Sequence, residues 1–289
     1  TWAYIAPEIF ESNDYSKAGD VYAFSIIVYE MIAHENPISK FNRIEIMDKI
    51  LEGYRPSFDA KFSESYKKLI ESCWNQDPNK RPTFTEIVNK IEKDEGFITE
   101  KVNKDEFFNY IKYLNDNKIN ESFLETTIDF EELKKVQESD PTLTVSFLDL
   151  NKFTNVGLIK KVKNFYIYEL REKETDNVFD GKISKKRITN LSLHEIIHLS
   201  REINIISQLN HPSFLKFIGY SPIDFNKQPN PVIVTEMPAN RSLARFLRTK
   251  KKQILKNAIE FWNDTKKLII IYGIASGMSY LHSNEIIHS

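Results

Sequence analysis

The sequence has very little cysteine: one residue, Cys73, in 289. A single cysteine excludes an internal disulfide and fits a reducing compartment, so a cytoplasmic location is the expectation. The lone thiol reads as a small core residue. An excess of charge of either sign is also missing. Forty Lys and Arg stand against 41 Asp and Glu, a net of -1. Nothing in that balance calls for nucleic acid or an anionic membrane as a partner. Long apolar runs are absent too. The longest, KLIIIYGIASGMSYL at 267–281, is too short to cross a bilayer and is broken by Gly and Ser, so it reads as a buried helix. No signal-peptide pattern opens the chain. The first residue is Thr1, and the expectation is a piece of something longer.

What is there is enough apolar content, 41%, for a substantial core. Residues 1–95 read as compact and helical. DVYAFSIIVYEMIA at 20–33 is apolar nearly all round, the mark of a helix buried on every side, with Asp20 where an N-cap belongs. SESYKKLIESCW at 63–74 puts Tyr66, Leu69, Ile70 and Cys73 on one face. Thr83 and Glu86 form a T-x-x-E capping box that opens a helix carrying Ile87, Val88 and Ile91. Residues 96–150 alternate charged and Asn-rich stretches with aromatic clusters such as EFFNYIKYL (106–114), and read as a linker with amphipathic helices. From 151 the pattern alternates like strands. A helix follows at 192–209, opened by a second capping box of Ser192 and Glu195. PVIVTEM (231–237) reads as a buried strand, and the last helix spans 264–283.

HEIIH at 194–198 matches the H-E-x-x-H of zinc proteases, with His194 and His198 on one helix face. Against that reading, Glu195 already serves as the reciprocal cap to Ser192. The nearest same-face carboxylate, Glu202, lies roughly 12 Å along the helix from His194, too far for metal bonds of about 2 Å. A zinc-dependent hydrolase is therefore the remote alternative.

Two longer motifs outweigh it. TWAYIAPEIF (1–10) resembles the end of a protein-kinase activation segment, with Ala6, Pro7 and Glu8 as A-P-E. CWNQDPNKRPTFTEI (73–87) resembles the C-W-x-x-D-P-x-x-R-P-T-F stretch of tyrosine-kinase-like kinases. Further on, REINIISQLNHPSFLKFIGY (201–220) resembles the αC helix and the strands after it. VIVTEMPANRSL (232–243) resembles the hinge, and IASGMSYLHSNEIIH (274–288) resembles the helix that runs into H-R-D. The resemblance implies an α+β, protein-kinase-like fold with its order reversed. Residues 1–95 are the second half of a C-lobe, 96–150 a linker, 151–240 an N-lobe and hinge, and 241–289 the start of a C-lobe up to the H-R-D histidine.

That resemblance also implies roles. Glu8 pairs with Arg81 as a structural tie, and Asp20 is a structural residue. Lys182 grips the phosphates of ATP and Glu202 holds the lysine. Ile159, Ile167, Thr235, Glu236 and Met237 complete the nucleotide-binding set, and His288 is the histidine of H-R-D. The T-x-x-Y-x-A-P-E context of Thr1 leans toward Ser/Thr phosphorylation, with ATP and magnesium as the family's cofactors and proteins as substrates or partners, adjacent kinase segments included.

The departures are as specific as the matches. Where a Gly-rich loop needs glycine to let its backbone approach phosphates, this chain has Lys160, Val162 and Phe165. The alanine that packs on adenine is replaced by Asp180, whose carboxylate is costly to desolvate. Ser289 stands at the arginine of H-R-D, and the catalytic aspartate, the magnesium-binding asparagine and D-F-G do not occur. The expectation is a chain incomplete for catalysis, with ATP binding weak or absent, the magnesium site missing, and a pseudokinase-like protein-interaction module as the alternative. Two arrangements fit the order: a window across tandem kinase domains, or a permutation whose parts dock. A flexible linker of fifty residues spans about 40 Å, and docking would bury 264–283 against 20–33 around a hole where the catalytic loop belongs.

Overall fold

The computed structural model describes residues 2–34, 41–117, 148–238, 243 and 262–288. The middle of the expected linker, Thr1 and Ser289 lie outside the described residues. The chain divides into two compact units, Thr1–Lys118 with His211–Ser213 and Leu243–Ser289, and Ile119–Asn210 with Phe214–Ser242.

The first unit is helical. It contains α1 (Pro7–Ser12), α2 (Lys17–Ala33), α3 (Arg43–Leu51), α4 (Glu64–Cys73), α5 (Phe84–Lys93) and α6 (Lys104–Asp116). The helix Asp264–Ser283, here α8, belongs to it as well. Helix α2 is central, with Val21, Tyr22, Phe24, Ile26, Val28 and Met31 all buried. Its start corrects the expectation for Asp20. Ser16 is the N-cap, accepting the Gly19 N–H at 3.1 Å. Asp20 lies inside the first turn, buried. A hydroxyl one turn earlier already satisfies the free amide, which leaves the Asp20 carboxylate for tertiary donors.

Thr83 and Glu86 cap α5 reciprocally, and Ser63 caps α4. The first part of the stretch expected as a linker with amphipathic helices carries one such helix, α6, packed into the core of this unit. Phe97, Phe107 and Leu114 have no exposed surface, and Ile111 is buried. Burying an aromatic or leucine side chain contributes about 1.5–3 kcal/mol, so α6 is held as core.

Helix α8 brings Leu268, Ile271, Tyr272 and Ala275 into the same core. It contacts α5, α6 and α2. Tyr272 Oη donates to the Glu92 carboxylate, Thr85 Oγ1 lies 2.9 Å from Ser279 Oγ, and the Asn103 N–H donates to Thr265 Oγ1 at 2.8 Å. Segments more than 150 residues apart in sequence thus share one core.

Among the described residues, the second unit is an antiparallel sheet with one long helix. Its strands are β1 (Phe153–Lys161), β2 (Phe165–Glu172), β3 (Val178–Ser184), β4 (Phe217–Ser221) and β5 (Val232–Glu236), in the order β1-β2-β3-β5-β4. The helix, α7 (Leu193–Gln208), opens with the capping box of Ser192 and Glu195. One sheet face packs Ile233 and Tyr220 against Leu199 and Ile203 of α7. The other buries Leu170, Ile183, Val232 and Val234 with Leu150 and Phe153. Gly181 permits that second face. A Cβ there would meet Leu170 Cδ1 at 2.6 Å.

Candidate functional site

Lys182 is opposite Ile167 on β2 and Ile233 on β5. Directly paired residues of an antiparallel sheet project to the same face. That face is the one that carries α7, because Ile233 packs against it. From α7, Glu202 forms an ion pair with Lys182. A second group meets the same ammonium: Lys182 Nζ lies 4.2 Å from the centroid of the Phe165 ring. Phe165 is opposite Ser184, two residues beyond Lys182 on β3.

Thr235 pairs with Asp180, and both are half-buried. Glu236 is exposed; its N–H donates to Lys216 O at 2.8 Å, and its carboxylate accepts from the Lys216 N–H at 3.4 Å. Met237 follows β5 and is half-buried. Ile159 falls at the register shift between Leu158 and Lys160, so it has no direct partner on β2.

The turn joining β1 and β2 decides whether a triphosphate fits. It is a tight hairpin in which the Val162 N–H donates to Phe165 O at 2.9 Å, with only Lys163 and Asn164 between. Its tip is fastened to the end of β3. The Lys185 N–H donates to Asn164 O at 2.9 Å, and Lys185 Nζ donates to Lys163 O at 3.1 Å. No glycine occurs between Gly157 and Gly181. A phosphate cradle needs backbone amides free to approach the anion. Here the Val162 N–H closes on Phe165 O, the Lys163 and Asn164 carbonyls accept from Lys185, and the Phe165 ring lies 4.2 Å from the lysine ammonium. Among the described residues, no cluster of three or more His, Cys, Asp or Glu is placed to hold a metal ion.

In the helical unit, Glu8 and Arg81 meet fork to fork, Nη1–Oε1 at 2.7 Å and Nη2–Oε2 at 2.8 Å. The arginine also donates to the carbonyls of Asn75 and Ala18, and its side chain has no exposed surface. Tyr22 lies beneath the guanidinia of Arg81 and Arg55, each 5.2 Å from its ring centroid. Burial raises the Tyr22 hydroxyl pKa above the usual tyrosine value, although the two cations pull it down. Asp20 Oδ2 accepts from the His288 N–H at 2.9 Å and lies 3.0 Å from His282 Nε2. Beside it is an apolar cavity of ≈ 470 Å³, lined by Tyr4, Asp20, Ala23, Ile27, Ile274 and His288 among others.

The H-E-x-x-H pair is close, with His194 and His198 Nε2 atoms 3.1 Å apart. Its carboxylates are engaged elsewhere: Glu195 with Ser192 and Lys186, Glu202 with Lys182. The Lys186 ammonium, then the Ser192 amide, hold the Glu195 carboxyl down at about 2.

Sequence reasoning missed two contributions. Asp20 was legible only as a cap, since its partner amide is 268 residues away. Phe165 was legible as a lost glycine, but its stacking on Lys182 depends on strand register.

The profile of the family described as protein tyrosine and serine/threonine kinase matches residues 1–91 and 160–289. The probable LIM domain-containing serine/threonine-protein kinase of Dictyostelium discoideum is 39% identical over 104 residues, 36% of this chain and 16% of that protein. Serine/threonine-protein kinase VIK of Arabidopsis thaliana is 36% identical over 94 residues, 32% of this chain and 22% of that protein. Dual specificity protein kinase pyk3 of D. discoideum is 26% identical over 296 residues, 99% of this chain and 19% of that protein. The chain thus spans less than a quarter of the length of these relatives.

Proposed function

This chain belongs to the protein tyrosine and serine/threonine kinase family, and from that premise we propose that it is a kinase-fold module acting through protein contacts, with no phosphoryl transfer of its own. The fold is α+β and protein-kinase-like. Phosphoryl transfer from ATP to Ser or Thr is the activity of the parent family in this reading. It depends on positioning the triphosphate and neutralising its charge. The observation that carries the proposal is the Phe165 ring, 4.2 Å from the Lys182 ammonium, on a tight hairpin closed by the Val162 N–H on Phe165 O. Lys182 and Glu202 then serve to hold α7 on the sheet, and Glu8 with Arg81 to hold the A-P-E segment on α2 and α5.

Domain roles follow the same reading. Residues 1–95 and 241–289 are C-lobe segments, and 151–240 is an N-lobe with its hinge. The alignment to pyk3, which runs through 99% of the chain, supports consecutive kinase regions in this order. Candidate partners are proteins, with adjacent kinase segments among them.

Incubation of the pure chain with radiolabelled ATP, magnesium and generic peptide substrates tests the proposal. No transfer to any peptide is expected. Transfer that survives further purification would contradict it.

A further inference from the structure

The space in front of Lys182 is filled by a side chain of the chain itself. The ammonium has the Glu202 carboxylate on one side and the Phe165 ring face on another, 4.2 Å away. An aromatic face carries the negative part of the ring quadrupole, so it attracts a cation and repels an anion. Steric and electrostatic exclusion of a phosphate therefore come from the same ring.

The ring does not ride on a pliable flap. Phe165 is the first residue of β2, paired with Ser184. The Val162 N–H closes the hairpin onto its carbonyl. Lys185 fastens both tip residues through Asn164 O and Lys163 O, and its ammonium lies 5.0 Å over the Tyr166 ring. Moving the ring away by a backbone swing would break all of these together. Rotating it in place would leave Lys182 with one partner fewer.

We propose that Phe165 is a nucleotide-excluding residue: its ring, stacked on Lys182, takes the place that the phosphates of a nucleoside triphosphate would occupy. This rests on the family reading of Lys182 as the phosphate-binding lysine. The two claims separate experimentally. The Phe165 claim concerns what blocks the lysine, and the Lys182 claim concerns what an unblocked lysine binds.

Amine-reactive labelling of Lys182 in the full 289-residue chain, quantified by peptide mass spectrometry with and without ATP, tests both. In the native chain, labelling should be slow and indifferent to ATP. In Phe165→Ala, labelling should rise several-fold, and ATP should suppress it. ATP protection of Lys182 in the native chain, as complete as in the variant, would overturn the proposal. So would unchanged labelling in Phe165→Ala. Raised labelling that ATP leaves untouched would overturn the reading of Lys182 as a phosphate seat. Phe165→Leu covers the case in which the alanine variant fails to fold. It keeps bulk but loses the π face, so labelling should rise without ATP protection, and labelling at the native rate would overturn the proposal.

Discussion

Arg81 grips Glu8 through two parallel hydrogen bonds of 2.7 and 2.8 Å, from a position 73 residues away in sequence and with no exposed side-chain surface. Paired, the two charges stabilise the packing of α1 on the rest of the helical unit. Separated, they leave a buried ion without a counterion.

Removing one partner should therefore cost more than the pair is worth. Glu8→Ala strands the Arg81 guanidinium, and the expected loss is about 3–5 kcal/mol of unfolding free energy. Arg81→Lys should also lose stability, because an ammonium cannot reproduce the two-pronged geometry. Urea unfolding of the three proteins checks this. A loss in Glu8→Ala typical of an exposed ion pair would show that the guanidinium finds water instead.

The packing of α8 on α5 can be read chemically. Thr85 Oγ1 and Ser279 Oγ are 2.9 Å apart, so cysteines at both positions place their sulfurs within bonding reach. The double variant Thr85→Cys with Ser279→Cys should cross-link within one chain on mild oxidation. A chain that stays reduced, or that forms only dimers, would mean that the two segments do not share a core.

Cys73 should not interfere with that experiment. Burial raises its thiol pKa from the usual 9.0 to about 12. The thiolate is the nucleophile, so alkylation at neutral pH should be negligible in the native chain and rapid in denaturant. The shift has a sign for stability as well. The folded thiol holds its proton more tightly than the unfolded one, so this contribution is intact below pH 9 and is lost as pH rises from about 9 toward 12. Melting temperatures measured across that range should fall more steeply for the native chain than for Cys73→Ala.

Asp20 anchors the His288 amide through one carboxylate oxygen. Asp20→Ala should speed hydrogen exchange at His288 while leaving the amides in the middle of α8 protected. Uniform loss of protection along α8 would instead make Asp20 a residue on which the whole unit depends.

The elements were legible where local chemistry sets them. Both capping boxes form as spaced, at Thr83 with Glu86 and at Ser192 with Glu195, because their hydrogen bonds close within four residues. The 264–283 helix was legible from its apolar spacing. What escaped was the destination of side chains. Phe107, Ile111 and Leu114 mark an amphipathic face in the sequence, but only the presence of α8 makes that face core. Asp20 was placed at a helix start by its position before an apolar run, and Ser16 takes that role by lying one turn earlier. The Phe165 contact needs the pairing of β2 with β3 to be known to the residue, and a slip of one position would turn the ring to the other face.

Equilibrium dialysis of radiolabelled ATP and magnesium against the native 289-residue chain tests the central claim most directly. The account predicts retention no greater than that of a chain carrying Lys182→Ala. Saturable, stoichiometric retention that Lys182→Ala abolishes would contradict it.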